Sequence, residues 1–259
     1  MVQAGPVTAN SALISDVRAG LAEAGDPARA RSAQAYMKSV MPFYGVAVPQ
    51  VRLLARAQLA AHPLTDRQDW RDTVLGLWDG ATHREERYAA LALVRSPQAA
   101  AYQDLAALTL YRHLVVTGAW WDLVDELAHA VGAVLRTAGA PAASVIRDWS
   151  RDEDLWLRRV AILCQLGARA DTDRVLLADC IDHNLADRAF FIRKAIGWAL
   201  RDLARSDPEW VTAFVQAAGD RMSPLSRREA TKHLPELATA PACRPDGTVA
   251  ATAAPHTTT

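Results

Sequence analysis

An all-α fold, built as a solenoid of paired helices, is predicted by three observations. Apolar residues recur at helical spacing through Ala-, Leu- and Arg-rich segments, and no run alternates in the manner of a β-strand. Gly, Pro, Asp and Ser gather at the joints, where helices stop and start. One pattern also returns. Windows that begin at Pro49, Glu85, Trp121, Leu157, Ile192 and Ser226 share a phase and step by about 34 to 36 residues, near the roughly 33 to 47 residues of tetratricopeptide, ankyrin and HEAT units. Stacked units bury one another's apolar faces, and the second helix of each pair then lines an extended concave groove.

Taken in order, a first helix is expected over 12–24, stopped by Gly25-Asp26-Pro27, and a second over 28–41. After the break at Pro42-Phe43-Tyr44-Gly45, Val48-Pro49 opens the third, since proline suits a first turn. Arg52 and Arg56 lie on it one turn apart. Further helices are expected over 66–78, 83–94, 97–116, 119–136, 142–150, 156–166, 172–186, 190–204, 208–217 and 224–234. Residues 1–10 are expected to be a flexible N-terminus, 11–235 a single HEAT-like repeat domain, and 236–259 a disordered tail of Pro, Ala and Thr with too few large apolar residues to pack.

The bulk numbers narrow the function. With 259 residues, 51% of them hydrophobic, the chain can bury a substantial core. There is no stretch of about 18 uncharged apolar residues and no basic leader followed by an apolar run, so a cytoplasmic protein that does not enter membranes is expected. Cys164, Cys180 and Cys243 are widely spaced and odd in number, which fits neither a disulfide framework nor a zinc site; Cys164 and Cys180 are expected in the core. The histidines form no HExxH pair, and no GxxxxGK loop is present, so neither a metal nor a nucleotide cofactor is expected. Lys and Arg number 29 against 29 Asp and Glu, so any affinity for nucleic acid must come from where the charges are placed.

The chemistry concentrates in Trp120-Trp121-Asp122-Leu123-Val124-Asp125, where Trp121 and Asp125 are one helical turn apart and share a face. A tryptophan in a helical repeat is usually core, and Trp78, Trp120, Trp156 and Trp210 fit that reading. An Arg-Arg or Arg-Lys pair is likewise usually a solvated face or an ion pair between helices. Against this stands a coincidence of phase: Arg52, Trp121, Asp125, Arg159, Lys194, Trp198 and Arg228 all fall on second helices. Basic side chains along one surface suit the phosphates of a duplex, and indole faces attract a cation by about 0.5 to 2 kcal/mol each. Cationic, damaged nucleic acid combines these features.

Trp120 to Asp125, Trp156-Leu157-Arg158-Arg159-Val160-Ala161-Ile162-Leu163-Cys164-Gln165-Leu166, and Phe190-Phe191-Ile192-Arg193-Lys194-Ala195-Ile196-Gly197-Trp198-Ala199-Leu200-Arg201 resemble the DNA alkylation repair family, the AlkD-type glycosylases of bacteria. Tyr36-Met37-Lys38, the 42–49 turn and 226–233 extend the match over nearly the whole chain. The resemblance implies a HEAT-like solenoid that acts as a monomer on double-stranded DNA near the nucleoid and releases cationic purines such as 3-methyladenine and 7-methylguanine. It implies that Trp121 and Trp198 contact the lesion deoxyribose, that Asp125 is the catalytic carboxylate, that Arg159 binds phosphate and that Tyr36 lies near the lesion. Lys194 matches a phosphate contact, so no lysine nucleophile is implied and the strand is left uncut. The family also leaves the damaged base outside any tight pocket, and relatives include self-resistance enzymes for bulky natural-product adducts. One departure is plain: Ala47 and Val48 stand where the family has glutamine and threonine, which implies a roomier or less polar surround. A non-catalytic scaffold that binds DNA structures or proteins is the alternative reading.

Overall fold

Short acidic and hydroxyl side chains set many of the helix starts. Asp26, Asp66, Asp154, Asp173, Asp207 and Ser223 each accept hydrogen bonds from the backbone N–H groups that a helix N-terminus leaves unpaired. The structure, a computed structural model, describes residues 9–234. In chain order these form α1 (Ser11–Glu23), α2 (Pro27–Met37), α3 (Val48–Ala61), α4 (Arg67–Asp79), α5 (Arg84–Val94), α6 (Ala107–Gly118), α7 (Trp121–Ala138), α8 (Ala140–Trp149), α9 (Leu155–Leu163), α10 (Arg174–Asp182), α11 (Phe190–Leu203), α12 (Pro208–Ala218) and α13 (Pro224–Ala230), with no strand among the described residues. The fold is an α-solenoid.

Two layers result. The second helices, α3, α5, α7, α9, α11 and α13, begin at residues 48, 84, 121, 155, 190 and 224 and pack neighbour against neighbour in one continuous row. Behind them α1, α4, α6, α8, α10 and α12 close the core. Helix α7 is typical: Leu123, Val124, Leu127, Ala128, Val131 and Val134 form a buried stripe at helical spacing. Trp121, Asp125 and His129 are left stacked a turn apart on the other side.

Several boundaries differ from expectation for local reasons. Helix α2 ends at Met37, four residues early, because Lys38 takes left-handed backbone (φ 51°). The helix expected over 97–116 is a 3-10 turn, Pro97–Tyr102, followed by α6. Asp104 makes the break: it pairs with both ends of the Arg67 guanidinium and accepts from the N–H of Ala106. The segments expected over 156–166, 172–186 and 224–234 are shorter, ending at Leu163, Asp182 and Ala230. Asn10, expected in a flexible N-terminus, caps α1, and its own N–H donates to Thr73 Oγ1. The flexible segment expected up to residue 8 and the disordered tail expected at 236–259, with Cys243, lie outside the described residues. Cys164 and Cys180 are buried in the core.

Two contacts position the row. The turn before α3 is held by Glu85, a carboxylate only 1% exposed that accepts from the N–H groups of Tyr44, Gly45 and Val46 at 2.8 to 3.1 Å. Gly45 is required there, since φ is 87° and a Cβ would stand 2.1 Å from the Asp26 carbonyl oxygen. At Gly132, α7 meets the end of α9 so closely that a Cβ would stand 2.1 Å from the Cys164 carbonyl oxygen. Alanine ordinarily favours a helix over glycine by about 1 kcal/mol, but backbone cannot swing out of the way as a side chain can. Gly132→Ala is therefore expected to destabilise by about 1–3 kcal/mol net and to lower Tm by roughly 3–9 °C in a melting experiment. An unchanged or raised Tm contradicts the close approach.

Candidate active site

The site begins at a turn. Ala119 adopts left-handed backbone (φ 41°) and Trp120 is extended, so α7 starts at Trp121 instead of the expected 119. The two indoles consequently part. Trp120 enters a cluster with Phe191 (5.4 Å between centroids) and Trp156 (5.9 Å). Trp121, at the first helical position, meets the ring of Tyr36 edge-on at 6.5 Å. Tyr36 is 75% exposed, so this pair presents aromatic surface to solvent.

Helix α7 is tied to α5 by Asp122, which accepts from Arg84 Nε at 3.1 Å, Arg84 Nη2 at 2.5 Å and Tyr88 Oη at 2.5 Å. Burial, then the charge of Asp122, pushes the Tyr88 phenol well up, so it remains a donor. One turn further on, Asp125 receives both edges of a guanidinium: Arg159 Nε to Oδ1 at 2.7 Å and Nη2 to Oδ2 at 2.9 Å. Arg159 Nη1 donates to the Phe191 carbonyl at 2.6 Å, and its Cζ lies 5.9 Å from the Phe191 ring centroid. The side chains are 17% and 5% exposed, so α7, α9 and α11 are joined through a largely buried ion pair. Burial pushes the Asp125 carboxyl above its ordinary value, against the opposing pull of Arg159. His129, another turn along, is held below its ordinary value by burial and then by Arg95, which favours its neutral form.

These contacts show where each expected site residue stands. Arg159, expected to meet phosphate, has all three nitrogens engaged inside the protein and serves here as the counter-ion that orients Asp125. Arg52 and Lys194 lie on the row but are paired, Arg52 with Glu126 at 2.7 Å and Lys194 with Glu229 at 2.9 Å, each keeping partial exposure. Arg228 is exposed with no ion-pair partner among the described residues. Trp198 is half-buried on α11, two turns beyond Phe191, and no ring contact or hydrogen bond among the described residues links it to Trp121 or Asp125. Tyr36, Trp121, Asp125 and Arg159 are thus brought together, and Trp198, Lys194 and Arg228 stand further along. Sequence reasoning passed over Arg84, Tyr88, Asp122, Arg95 and Glu126. The signal available was opposite charges about one or two repeats apart, as in Arg84 with Asp122 and Arg52 with Glu126.

Beside Trp121 a cavity of about 560 Å³ opens between α3, α5 and α7, with Met37, Val48, Leu59, Leu91 and Pro97 among its apolar walls. Val48, one of the two departures, therefore lines it, while Ala47 caps α3 without a side-chain hydrogen bond. No group of His, Cys, Asp and Glu among the described residues could hold a metal ion. No helix of the described residues is long and apolar enough to cross a membrane.

An all-helical solenoid with a row of paired charges, an exposed aromatic pair and an arginine-held carboxylate defines the class. The chain belongs to the DNA alkylation repair enzyme family, whose pattern matches residues 17–234. It is similar in structure to a predicted DNA alkylation repair enzyme from Enterococcus faecalis, with 28% identity and a TM-score of 0.74, over 82% of this chain and 97% of that one. It shares its fold, at 16% identity and a TM-score of 0.57, with smu.31 from Streptococcus mutans UA159, over 83% of this chain and 100% of that one. No curated protein matches.

The ion pair makes a measurable prediction. Because the Asp125 carboxyl is raised, its charged form is present above that raised value and is lost as pH falls through it, earlier than for an ordinary carboxylate. Removing Arg159 takes away a lowering influence, so Arg159→Ala should move the Asp125 midpoint higher still in a carbon-13 titration. It should also destabilise the fold by about 3–5 kcal/mol, as expected when a buried charge loses its partner. A midpoint that falls, or does not move, contradicts the pairing.

Proposed function

We propose that the protein is a monofunctional DNA glycosylase that hydrolyses the N-glycosidic bond of cationic N3- or N7-alkylated purines in duplex DNA. The observation that carries this reading is Asp125, a carboxylate held by Arg159 one turn from Trp121, which itself meets the exposed Tyr36 ring. Membership of the DNA alkylation repair enzyme family supplies the substrate context. An N3- or N7-alkylated purine is already positively charged and leaves without being protonated, so the barrier lies in the sugar. As the bond breaks, deoxyribose becomes an oxocarbenium ion. A fixed carboxylate aimed at C1′ stabilises that charge and orients the attacking water.

The pairing with Arg159 shapes this role. Two parallel hydrogen bonds fix the plane of the carboxylate, so little reorganisation is needed when positive charge develops nearby. The same arginine offsets part of the negative charge before substrate arrives. Trp121 and Trp198 add aromatic faces to the cationic sugar in this reading, and backbone phosphates are met by exposed cations such as Arg228, with Arg52 and Lys194 available once released from their carboxylates. The cavity beside Trp121, with apolar and charged walls, leaves room for adducts larger than methyl.

Asp125→Asn is expected to slow single-turnover release of 7-methylguanine by about 10² or more while duplex binding survives, a size typical of losing one electrostatic stabiliser. Equal rates for the two proteins would leave a DNA-binding scaffold as the better reading. Substrate charge gives a second test: 3-methyladenine, 7-methylguanine and bulky cationic N3 or N7 adducts should be released, and uracil, hypoxanthine and 1,N6-ethenoadenine should not. Release of the neutral bases at the rate of 7-methylguanine would require a group that activates the leaving base, and the charge-driven mechanism would be wrong.

A further inference from the structure

A carboxylate shared by two arginines crosses the row of second helices beside the site. Glu126 of α7 accepts from Arg52 of α3 at 2.7 Å through Oε1 and from Arg95, which caps the C-terminus of α5, at 2.5 Å through Oε2. All three line the cavity that Trp121 also borders. Their side chains are 49%, 31% and 45% exposed for Arg52, Glu126 and Arg95, so the arrangement faces solvent. The other two acids of this part of α7 differ: Asp122 and Asp125, at 9% and 17%, are turned to their own arginines.

A structural strut is the plainer account of such a bridge, and the magnitudes argue against it. An exposed ion pair contributes only about 0–1 kcal/mol, and α5 is already tied to α7 by the buried Arg84–Asp122 pair. What the arrangement does provide is two guanidinium groups converging on the two oxygens of one anion, the geometry in which arginines take a phosphate. With one negative charge between two positive ones, the site keeps an uncompensated positive charge. Arg56 borders the same cavity, exposed and without an ion-pair partner among the described residues.

We propose that Arg52 and Arg95 form a clamp for a phosphate of the duplex backbone, and that Glu126 occupies the clamp in the free protein and is exchanged for that phosphate on binding. The exchange is cheap because two partly exposed ion pairs are replaced by two others of the same charges. Glu126 therefore weakens binding to all DNA, damaged or not, and keeps a repair protein from lingering on intact sequence. The proposal rests on the reading above only in taking duplex DNA as the ligand.

The test is binding of a short undamaged duplex, followed by fluorescence anisotropy over a range of salt concentrations, with melting curves as the control for folding. Glu126→Gln should tighten binding by about fivefold, the size of one exposed ion pair. Arg95→Ala should weaken it and lower the salt slope by about 0.9, as expected for one lost phosphate contact. In the protein lacking both Arg52 and Arg95, Glu126→Gln should bring no gain. Tightening that persists without the arginines would make Glu126 a diffuse negative charge and overturn the clamp. So would a Glu126→Gln protein that binds no tighter than the parent at an unchanged melting temperature. If Glu126→Gln proves unstable, Glu126→Ala is read in the same way, and a loss of stability in both without tighter binding establishes the strut instead. None of these measurements follows base release. A protein that shows the clamp but releases no 7-methylguanine loses the glycosylase reading alone, and one that releases the base without the clamp loses only this inference.

Discussion

The register of the repeat is the constraint on which the rest of the structure depends. Because each second helix starts 34 to 37 residues after the last, at 48, 84, 121, 155, 190 and 224, a side chain on one helix faces a side chain roughly one repeat later on the next. Arg84 reaches Asp122, Asp125 reaches Arg159, and Lys194 reaches Glu229 by this rule, at separations of 38, 34 and 35 residues. A similar rule runs through the first helices and joints, where Arg147 meets Asp179 and Arg174 meets Asp207. A chain with equal numbers of acidic and basic residues thus becomes a ladder of ion pairs between neighbours. Most rungs are exposed and contribute little to stability. The Arg84–Asp122 and Arg159–Asp125 pairs, in which both partners are largely buried, specify how α7 is seated between α5 and α9.

That seating explains how a largely buried carboxylate is held in a fixed orientation. Desolvation by itself disfavours the charged form of Asp125. Arg159 counters it with two hydrogen bonds, and Arg159 is itself held by the Phe191 carbonyl on α11. Beside it the Trp120, Trp156 and Phe191 rings pack together, with centroids 4.9 to 5.9 Å apart. The left-handed turn at Ala119 places Trp120 in that cluster while Trp121 opens the helix toward Tyr36. Adjacent tryptophans therefore have opposite duties, one in packing and one at the surface.

How much of this was legible in the sequence follows from what periodicity can carry. The all-α class, the two-helix repeat and the shared face of Trp121 and Asp125 are consequences of 3.6-residue spacing and a repeated phase, and they emerge from residue order alone. The ends of helices do not. Lys38 and Ala119 take left-handed backbone without being glycine, and Asp104 interrupts a helical pattern by pairing with Arg67, 37 residues earlier. Local propensity holds no record of such a partner. The same blindness hid the state of the basic residues. Phase assigned Arg52, Arg159 and Lys194 to one surface but could not say that each would meet a carboxylate there, one of them behind nearly complete burial.

The pairing also bears on how a protein of zero formal net charge can approach a polyanion. A surface of free arginines and lysines would attract all DNA strongly and with a steep salt dependence. When the cations are paired with carboxylates of their own chain, that long-range attraction is weakened, and affinity is recovered only where a phosphate can take a carboxylate's place at contact distance. In the proposed exchange a partly exposed pair such as Arg52–Glu126 opens, because little is lost in separating it. The Arg159–Asp125 pair does not, since separating it would leave a charge stranded in a largely dry site. Burial thus divides one ladder in two: partly exposed rungs that open at little cost, and an inner rung that holds the Asp125 carboxylate in place.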